Sequence, residues 1–222
     1  MAPLTGWAAV LTRAGGRRAY ERNPRFCTHC LKYCHRHPGG AEIEMSFLFA
    51  DVRGSTQLAE PLKAAQFSVM MNAFYAAASE VVVRHNAFLD KLVGDEVVAF
   101  FLPCFAGTNT AMPAVAAALE LVELAAQTDG LDVPIGVGVH TGPAYFGTVT
   151  AATGAFSDLT ALGDNVNVAA RLAGAAGSGQ ALISAKAWKA AGQPRRALTR
   201  LRLKGRERRI GVVAVGPPGD GS

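Results

Sequence analysis

Apolar and polar positions along the chain change character near residue 40. Residues 1–40 carry Gly, Arg and Pro with no sustained period, and Pro38-Gly39-Gly40 reads as the turn that ends them. Beyond it the pattern is regular. Glu44 to Ala50 is an apolar run of strand length centred on Phe47, Leu48 and Phe49. Ser55 or Thr56 is placed to cap a long helix whose Phe67, Met70, Met71, Phe74, Ala77, Val81 and Val82 recur on one face. Ala87 to Val93 and Val97 to Leu102 predict two strands about a tight Gly94-Asp95 turn, the second apolar stretch running on to Phe105 across Pro103. Pro113 to Ala126 predicts an Ala- and Leu-rich helix, Val133 to His140 and Ala144 to Val149 a second strand pair around Thr141-Gly142-Pro143, and Asn165 to Ala175 another helix. A strand at Ala181 to Ser184 and a short helix at Ala185 to Ala191 follow. A hairpin of Leu198 to Leu203 with Ile210 to Val215, around Lys204-Gly205-Arg206, completes the series.

This order predicts an α+β fold, an α/β sandwich. A ferredoxin-like βαββαβ core carries a C-terminal strand-helix-hairpin extension, in a mixed, mainly antiparallel sheet with helices on one face. Three parts are expected: a basic Cys- and His-containing segment or linker at 1–41, one domain at 42–216, and a disordered tail at 217–222. Half of the 222 residues are apolar and 18% are charged, enough for a sizeable core and against global disorder. No apolar run reaches the roughly 18 residues of a membrane span. No apolar stretch of signal-peptide type follows Met1, so the expectation is a cytoplasmic protein with no membrane partner.

Charge is uneven. Residues 1–40 hold seven Lys/Arg and one acid, residues 41–194 seven against fourteen acids, and residues 195–222 eight against two. Two basic ends therefore flank an acidic middle. Ordinary solvated charge accounts for most of the tail arginines, and without interleaved aromatics there is no stacking platform for a stable nucleic-acid partner. Cys27, Cys30 and Cys34 lie beside His29, His35 and His37, but one Cys-x-x-Cys is half a zinc site, and reduced thiols fit as well as a metal knuckle. Cys104, in its apolar stretch, is expected in the core.

Two acids stand out in the middle. Asp51 follows an apolar strand and Asp95 sits in a turn between two more. If those strands are neighbours, both carboxylates converge at one edge of the sheet and suit Mg²⁺ or Mn²⁺. The same placement also fits Asp95 as a turn former and Asp51 as a helix cap. Val52-Arg53-Gly54-Ser55, between strand and helix, offers outward N–H groups of the kind that hold phosphate, although no Gly-Lys-Ser/Thr follows as in a Walker loop.

Four stretches, in order, carry a specific resemblance. Phe49-Ala50-Asp51-Val52-Arg53-Gly54-Ser55-Thr56 resembles the first metal motif of the class III nucleotidyl cyclase catalytic domain, and Lys91-Leu92-Val93-Gly94-Asp95-Glu96 its second. Gly136-Val137-Gly138-Val139-His140-Thr141-Gly142 resembles its central strand and turn, and Leu162 to Leu172, with Asn167 and Arg171, its transition-state helix. The resemblance implies two divalent cations, Mg²⁺ or Mn²⁺, on Asp51, Val52 and Asp95. It implies contacts to substrate from Gly54, Ser55 and Thr56, and a homodimer with two composite sites. It also implies that Asn167 orients the ribose and that Arg171 holds charge on the pentavalent phosphorus, a task suited to a planar, permanently charged fork.

Base choice is implied to rest on Lys91, toward a ring nitrogen of adenine, and on Thr160, toward the amino group. Guanylate cyclases of the family carry Glu at the Lys position, so ATP is the expected substrate and 3′,5′-cyclic AMP the product, as in the Thr-variant adenylate cyclases. Many members have an Arg where this chain has Pro143, so that phosphate contact is absent or comes from elsewhere, Arg53 being one option. Lys204 and Arg206 both fit the basic residue that holds the terminal phosphates. The alternatives are a guanylate cyclase, a silent nucleotide-binding or dimerisation module, and a diguanylate cyclase-like transferase. The last is disfavoured because Gly94-Asp95-Glu96 lacks the flanking Gly and Phe of that family's turn.

Overall fold

The computed structural model describes residues 19–20, 23–127, 133–150 and 157–217. The expected tail from 218 onward and the first 18 residues of the basic segment lie outside the described residues. In chain order the elements are β1 (Ala19–Tyr20), β2 (Asn23–Cys27), α1 (Thr28–Arg36), β3 (Gly40–Val52), α2 (Ser55–Ala59) and α3 (Ala64–Arg84). Then come β4 (Phe88–Val93), β5 (Glu96–Phe101), α4 (Pro103–Ala106), α5 (Ala111–Ala126), β6 (Ile135–Thr150), β7 (Ser157–Leu162) and α6 (Asp164–Ala175). The chain closes with β8 (Gln180–Ser184), α7 (Ala185–Ala190), β9 (Thr199–Leu201) and β10 (Ile210–Val215).

Eight strands form one open sheet in the order β4-β5-β3-β6-β8-β10-β9, with β7 added to the outer half of β6. All pairings are antiparallel except β6 with β8, so the sheet is mixed and mainly antiparallel, as the element order predicted. Its central strands are buried on both faces, which is why they read as unbroken apolar runs rather than alternating ones. Leu48, Ala50 and Val52 of β3 turn to one side, where α3, α5 and α7 bring Phe74, Leu121 and Trp188. Met45, Phe47 and Phe49 turn to the other, among Phe26, Phe88, Phe100, Leu159 and Ala169. No helix among the described residues is long and apolar enough to cross a membrane.

Several expectations are corrected. Helices cover both faces, because α6 lies opposite α3, α5 and α7. Thr141-Gly142-Pro143 makes no turn: β6 runs through it, with Ser46, Met45 and Glu44 of β3 opposite those three residues. The Pro143 carbonyl is taken by the Asn165 amide at 2.7 Å, so the side of the strand on which its missing N–H would fall is not the β3 ladder. The long helix from Ser55 is two helices, broken where Pro61 removes a donor; α3 restarts with the Lys63 N–H on the Gln66 side chain at 3.0 Å. Neither Ser55 nor Thr56 caps it, since the capping position is Gly54, in the left-handed region at φ 65°. The apolar stretch after Val97 leaves the sheet at Phe101, Pro103 starts the helical turn α4, and Cys104 on that turn is exposed rather than in the core. The strand β7 and the N-terminal β2 and α1 are not among the elements predicted from the sequence. Phe26 of β2 is nevertheless 2% exposed and packs edge-on against Phe88 and Phe105.

Candidate active site

The end of β3 and the β4–β5 turn meet at one edge of the sheet. Asp51 stands opposite Glu96 of β5 and Gly136 of β6, and the Val52 N–H donates to the Asp95 carbonyl at 3.0 Å. Gly94, at φ 63°, supplies the left-handed position the turn requires, and the Tyr75 hydroxyl donates to its carbonyl. Because β3 and β5 are neighbours, Asp51 and Asp95 share this edge. Ser55 donates its hydroxyl to the Asp95 carboxylate at 2.5 Å. Asp51 is ion-paired with Arg53, whose guanidinium also donates to the Gly174 carbonyl at 2.9 Å. Arg53 is thereby committed to the acids and to α6.

Negative charge is in excess here. Burial, and then the Asp95 charge, push the Glu96 carboxyl above its usual range against the pull of Arg53. Burial lowers the Arg53 guanidinium, and Asp95 and Glu96 oppose that shift. The Arg53 Nε is buried without a hydrogen-bond partner. The acidic side chains gathered here, Asp51 and Asp95, offer hard oxygens only. That chemistry fits Mg²⁺ or Mn²⁺, and among the described residues no cluster of three or more His, Cys, Asp or Glu offers a protein cage. A cation here would complete its shell from substrate oxygens and water. At the Cys27-x-x-Cys30 pair, the Cys27 sulfur caps α1 by accepting from the Cys30 N–H at 3.1 Å.

The face of β6 beneath α6 is cut away. A Cβ on Gly138 would lie 2.2 Å from the Ala173 nitrogen and 2.3 Å from the Ala169 carbonyl oxygen, so the helix backbone rests directly on this glycine. At the N-terminal end of α6, Asn165 accepts from His140 Nε2 at 2.9 Å and donates to Pro143. His140 is 8% exposed, its Nδ1 has no partner, and burial pushes it below the ordinary imidazole range despite the bond to Asn165. Its bond to Asn165 latches the helix to β6. Asn167 and Arg171, four apart, share a face of that helix. Asn167 is exposed, and the Arg171 guanidinium rests against Gly205 in the β9–β10 hairpin, 3.5 Å from where a Cβ would be.

That hairpin separates the two basic candidates. Arg206 is held by Asp164 at 2.7 Å, whereas Lys204 is exposed beside it. Both line a cavity of about 530 Å³ with Arg202, Leu203, Gly205 and Glu207. Lys91, on β4, has its ammonium 3.6 Å from Asp158 of β7, and Thr160, two residues further along β7, donates to the Asp90 carboxylate at 3.1 Å. The structure thus brings Lys91 and Thr160 to one strand junction, Asp51 and Asp95 to the sheet edge, and Asn167 and Arg171 to the outer face of α6. Gly54, Ser55 and Thr56 form the turn and first residues of α2, a helix of only five residues. Sequence reasoning missed Asp90, Asp158 and the His140–Asn165 latch. Of these only Asp90 left a signal, an acid beside Lys91 inside a strand run whose other residues are apolar.

Comparison with known proteins gives the same picture. Residues 41–211 match the family model described as the adenylate and guanylate cyclase catalytic domain. Over 138 residues, 59% of this chain, the sequence is 30% identical to an adenylate cyclase of Anabaena cylindrica, of whose length that region is only 27%. The chain therefore spans less than a third of that relative. The crystal structure of the adenylyl cyclase CyaB from P. aeruginosa superposes with a TM-score of 0.68 at 25% identity, covering 82% of this chain and 98% of that one. That of the guanylyl cyclase Cya2 superposes at 0.69 and 24% identity, with the same coverage, and bears on the fold alone. With its motifs in order on the matching fold, this chain belongs to the adenylate and guanylate cyclase catalytic domain family.

Proposed function

We propose that the chain is the catalytic domain of an adenylate cyclase, converting ATP to 3′,5′-cyclic AMP and pyrophosphate at sites shared between two copies of itself. The observation that carries this reading is the meeting of Asp51 and Asp95 at one sheet edge with oxygen-only donors and surplus negative charge. Asp51, Asp95 and the Val52 carbonyl would hold Mg²⁺ or Mn²⁺, two per site, which when bound lower the proton affinity of the ribose 3′-hydroxyl and neutralise the triphosphate. The chain's own residues do the rest. Ser55 fixes the orientation of Asp95. Gly54, Ser55 and Thr56 pass closest to the phosphates, through the backbone of their turn. Asn167 orients the ribose, so that its 3′-oxygen attacks the α-phosphorus in line as pyrophosphate leaves. Arg171 meets the charge that develops on the phosphorus. Lys204 receives the terminal phosphates, because Arg206 is tied to Asp164.

Two features favour ATP. Position 91 holds Lys rather than the Glu that the resemblance implies for a guanylate cyclase, and the Anabaena relative is named an adenylate cyclase. Sharing between copies is favoured by the cations themselves: Arg53 serves Asp51, and Arg171 leans away on the final hairpin. Incubation with ATP or GTP and Mn²⁺, followed by chromatography, tests the reading. Cyclic AMP from ATP, in clear excess over cyclic GMP from GTP, is the expected result. Cyclic GMP as the main product, a linear dinucleotide, or no product at all would overturn it.

A further inference from the structure

β4 is not a regular strand. Leu89 stands opposite Ala99 and Lys91 opposite Val98, so Asp90 is the extra residue of a bulge. In an unbroken strand neighbouring side chains face opposite sides of the sheet, and a bulge re-aims them. Here two successive residues, Asp90 and Lys91, both reach β7, a strand that β4 does not pair with. Asp90 accepts from the Thr160 hydroxyl at 3.1 Å, and the Lys91 ammonium is 3.6 Å from Asp158. Asn23 clamps the backbone just before the bulge, donating to the Leu89 carbonyl and accepting from its N–H, each at 2.7 Å. Asp90 and Thr160 are 6% and 7% exposed.

A threonine hydroxyl has one proton and two lone pairs, and an ionised carboxylate only accepts. With its proton given to Asp90, Thr160 has only lone pairs left for a ligand. Lys91, an ammonium, has only donors. The junction therefore offers a donor beside an acceptor. The matching edge of adenine is an acceptor ring nitrogen beside an amino donor; guanine reverses both, with a ring N–H beside an oxo group. Resting on the reading of Lys91 and Thr160 as base contacts, we infer that Asp90 is a positioning residue that selects amino over oxo purines by holding the Thr160 proton. An oxo group at Thr160 would meet a lone pair, and a buried polar pair left unmatched is costly.

The test is kcat/KM for ATP and for GTP, with Mn²⁺, in the wild-type chain, Asp90→Asn, Thr160→Val and the double variant, with thermal unfolding of each. Asn at 90 can donate as well as accept, which frees Thr160 to turn its proton toward the base. Asp90→Asn and Thr160→Val are each expected to lower the ATP-to-GTP ratio about tenfold. The double variant is expected to be no less selective than Thr160→Val alone. Equal losses for both nucleotides in Asp90→Asn, or a further loss of selectivity on adding it to Thr160→Val, would overturn the inference while leaving the adenylate cyclase reading intact. A wild-type chain that prefers GTP would overturn both. Should Asp90→Asn not fold, Thr160→Val decides: an unchanged ratio in that variant refutes the inference.

Discussion

At the scale of single residues, the site is a set of charges whose partners are already chosen. Ser55 gives its proton to Asp95, Arg53 neutralises Asp51, and Arg206 is spent on Asp164. Ser55→Ala leaves Asp95 without its orienting partner; the Mn²⁺ concentration for half-maximal activity is expected to rise about 10–100-fold, read from metal titrations of the rate. Lys204→Ala is expected to raise KM for ATP strongly. Arg206→Ala should act mainly on stability, through loss of its partner at the start of α6; steady-state kinetics with melting curves separate the two. His140 gives a pH signature. Burial first, and then the charges of Lys186 and Arg206, keep its folded pKa below the unfolded value, against the Asn165 bond and Asp164. The unfolded chain then binds the proton first, so this contribution to stability is present above about pH 6.5 and is lost as pH falls toward the folded pKa. Tm should drop between pH 7 and 5.5, and His140→Gln should flatten that slope.

At the scale of elements, small residues and one proline decide where the functional helix sits. Ile135, Val137 and Val139 of β6 face the helical layer, while Gly136 and Gly138 leave the opposite side bare for α6. Gly138→Ala is expected to destabilise the fold by about 3 kcal/mol or more, because the added carbon meets helix backbone that cannot move aside as a side chain would; chemical denaturation measures this. The element order and the mainly antiparallel sheet were legible from periodicity, since strands buried on both faces and helices with an apolar stripe announce themselves. The side of the sheet taken by α6 was not, because the signal lay in glycines, which read equally as a turn. For the same reason Gly142-Pro143 suggested a corner where Asn165 in fact absorbs the carbonyl of a continuing strand. The motif positions could be named in advance, but not the bulge at Asp90. A bulge is a relation of register between two strands, β4 and β5 here, and periodicity within each strand does not fix that register.

At the scale of the whole molecule, the parts lie in three places: Asp51 and Asp95 at the ends of β3 and the β4–β5 turn, Lys91 and Thr160 where side chains of β4 and β7 meet, and Asn167 with Arg171 on the outer face of α6. On the proposed reading, two copies related by a two-fold axis bring the acids of each to Lys91, Thr160 and α6 of the other. An Asp51→Ala chain and an Arg171→Ala chain, each inactive alone, then complement one another, since the mixed dimer retains one site with both residues intact. The direct measurement is cyclic AMP formation by the two variants mixed in equal amounts. Random exchange predicts recovery of about a quarter of wild-type activity, as half of the dimers are mixed and each carries one intact site. A mixture no more active than the two variants measured separately, under conditions where the chains are shown to have exchanged, would contradict the shared site.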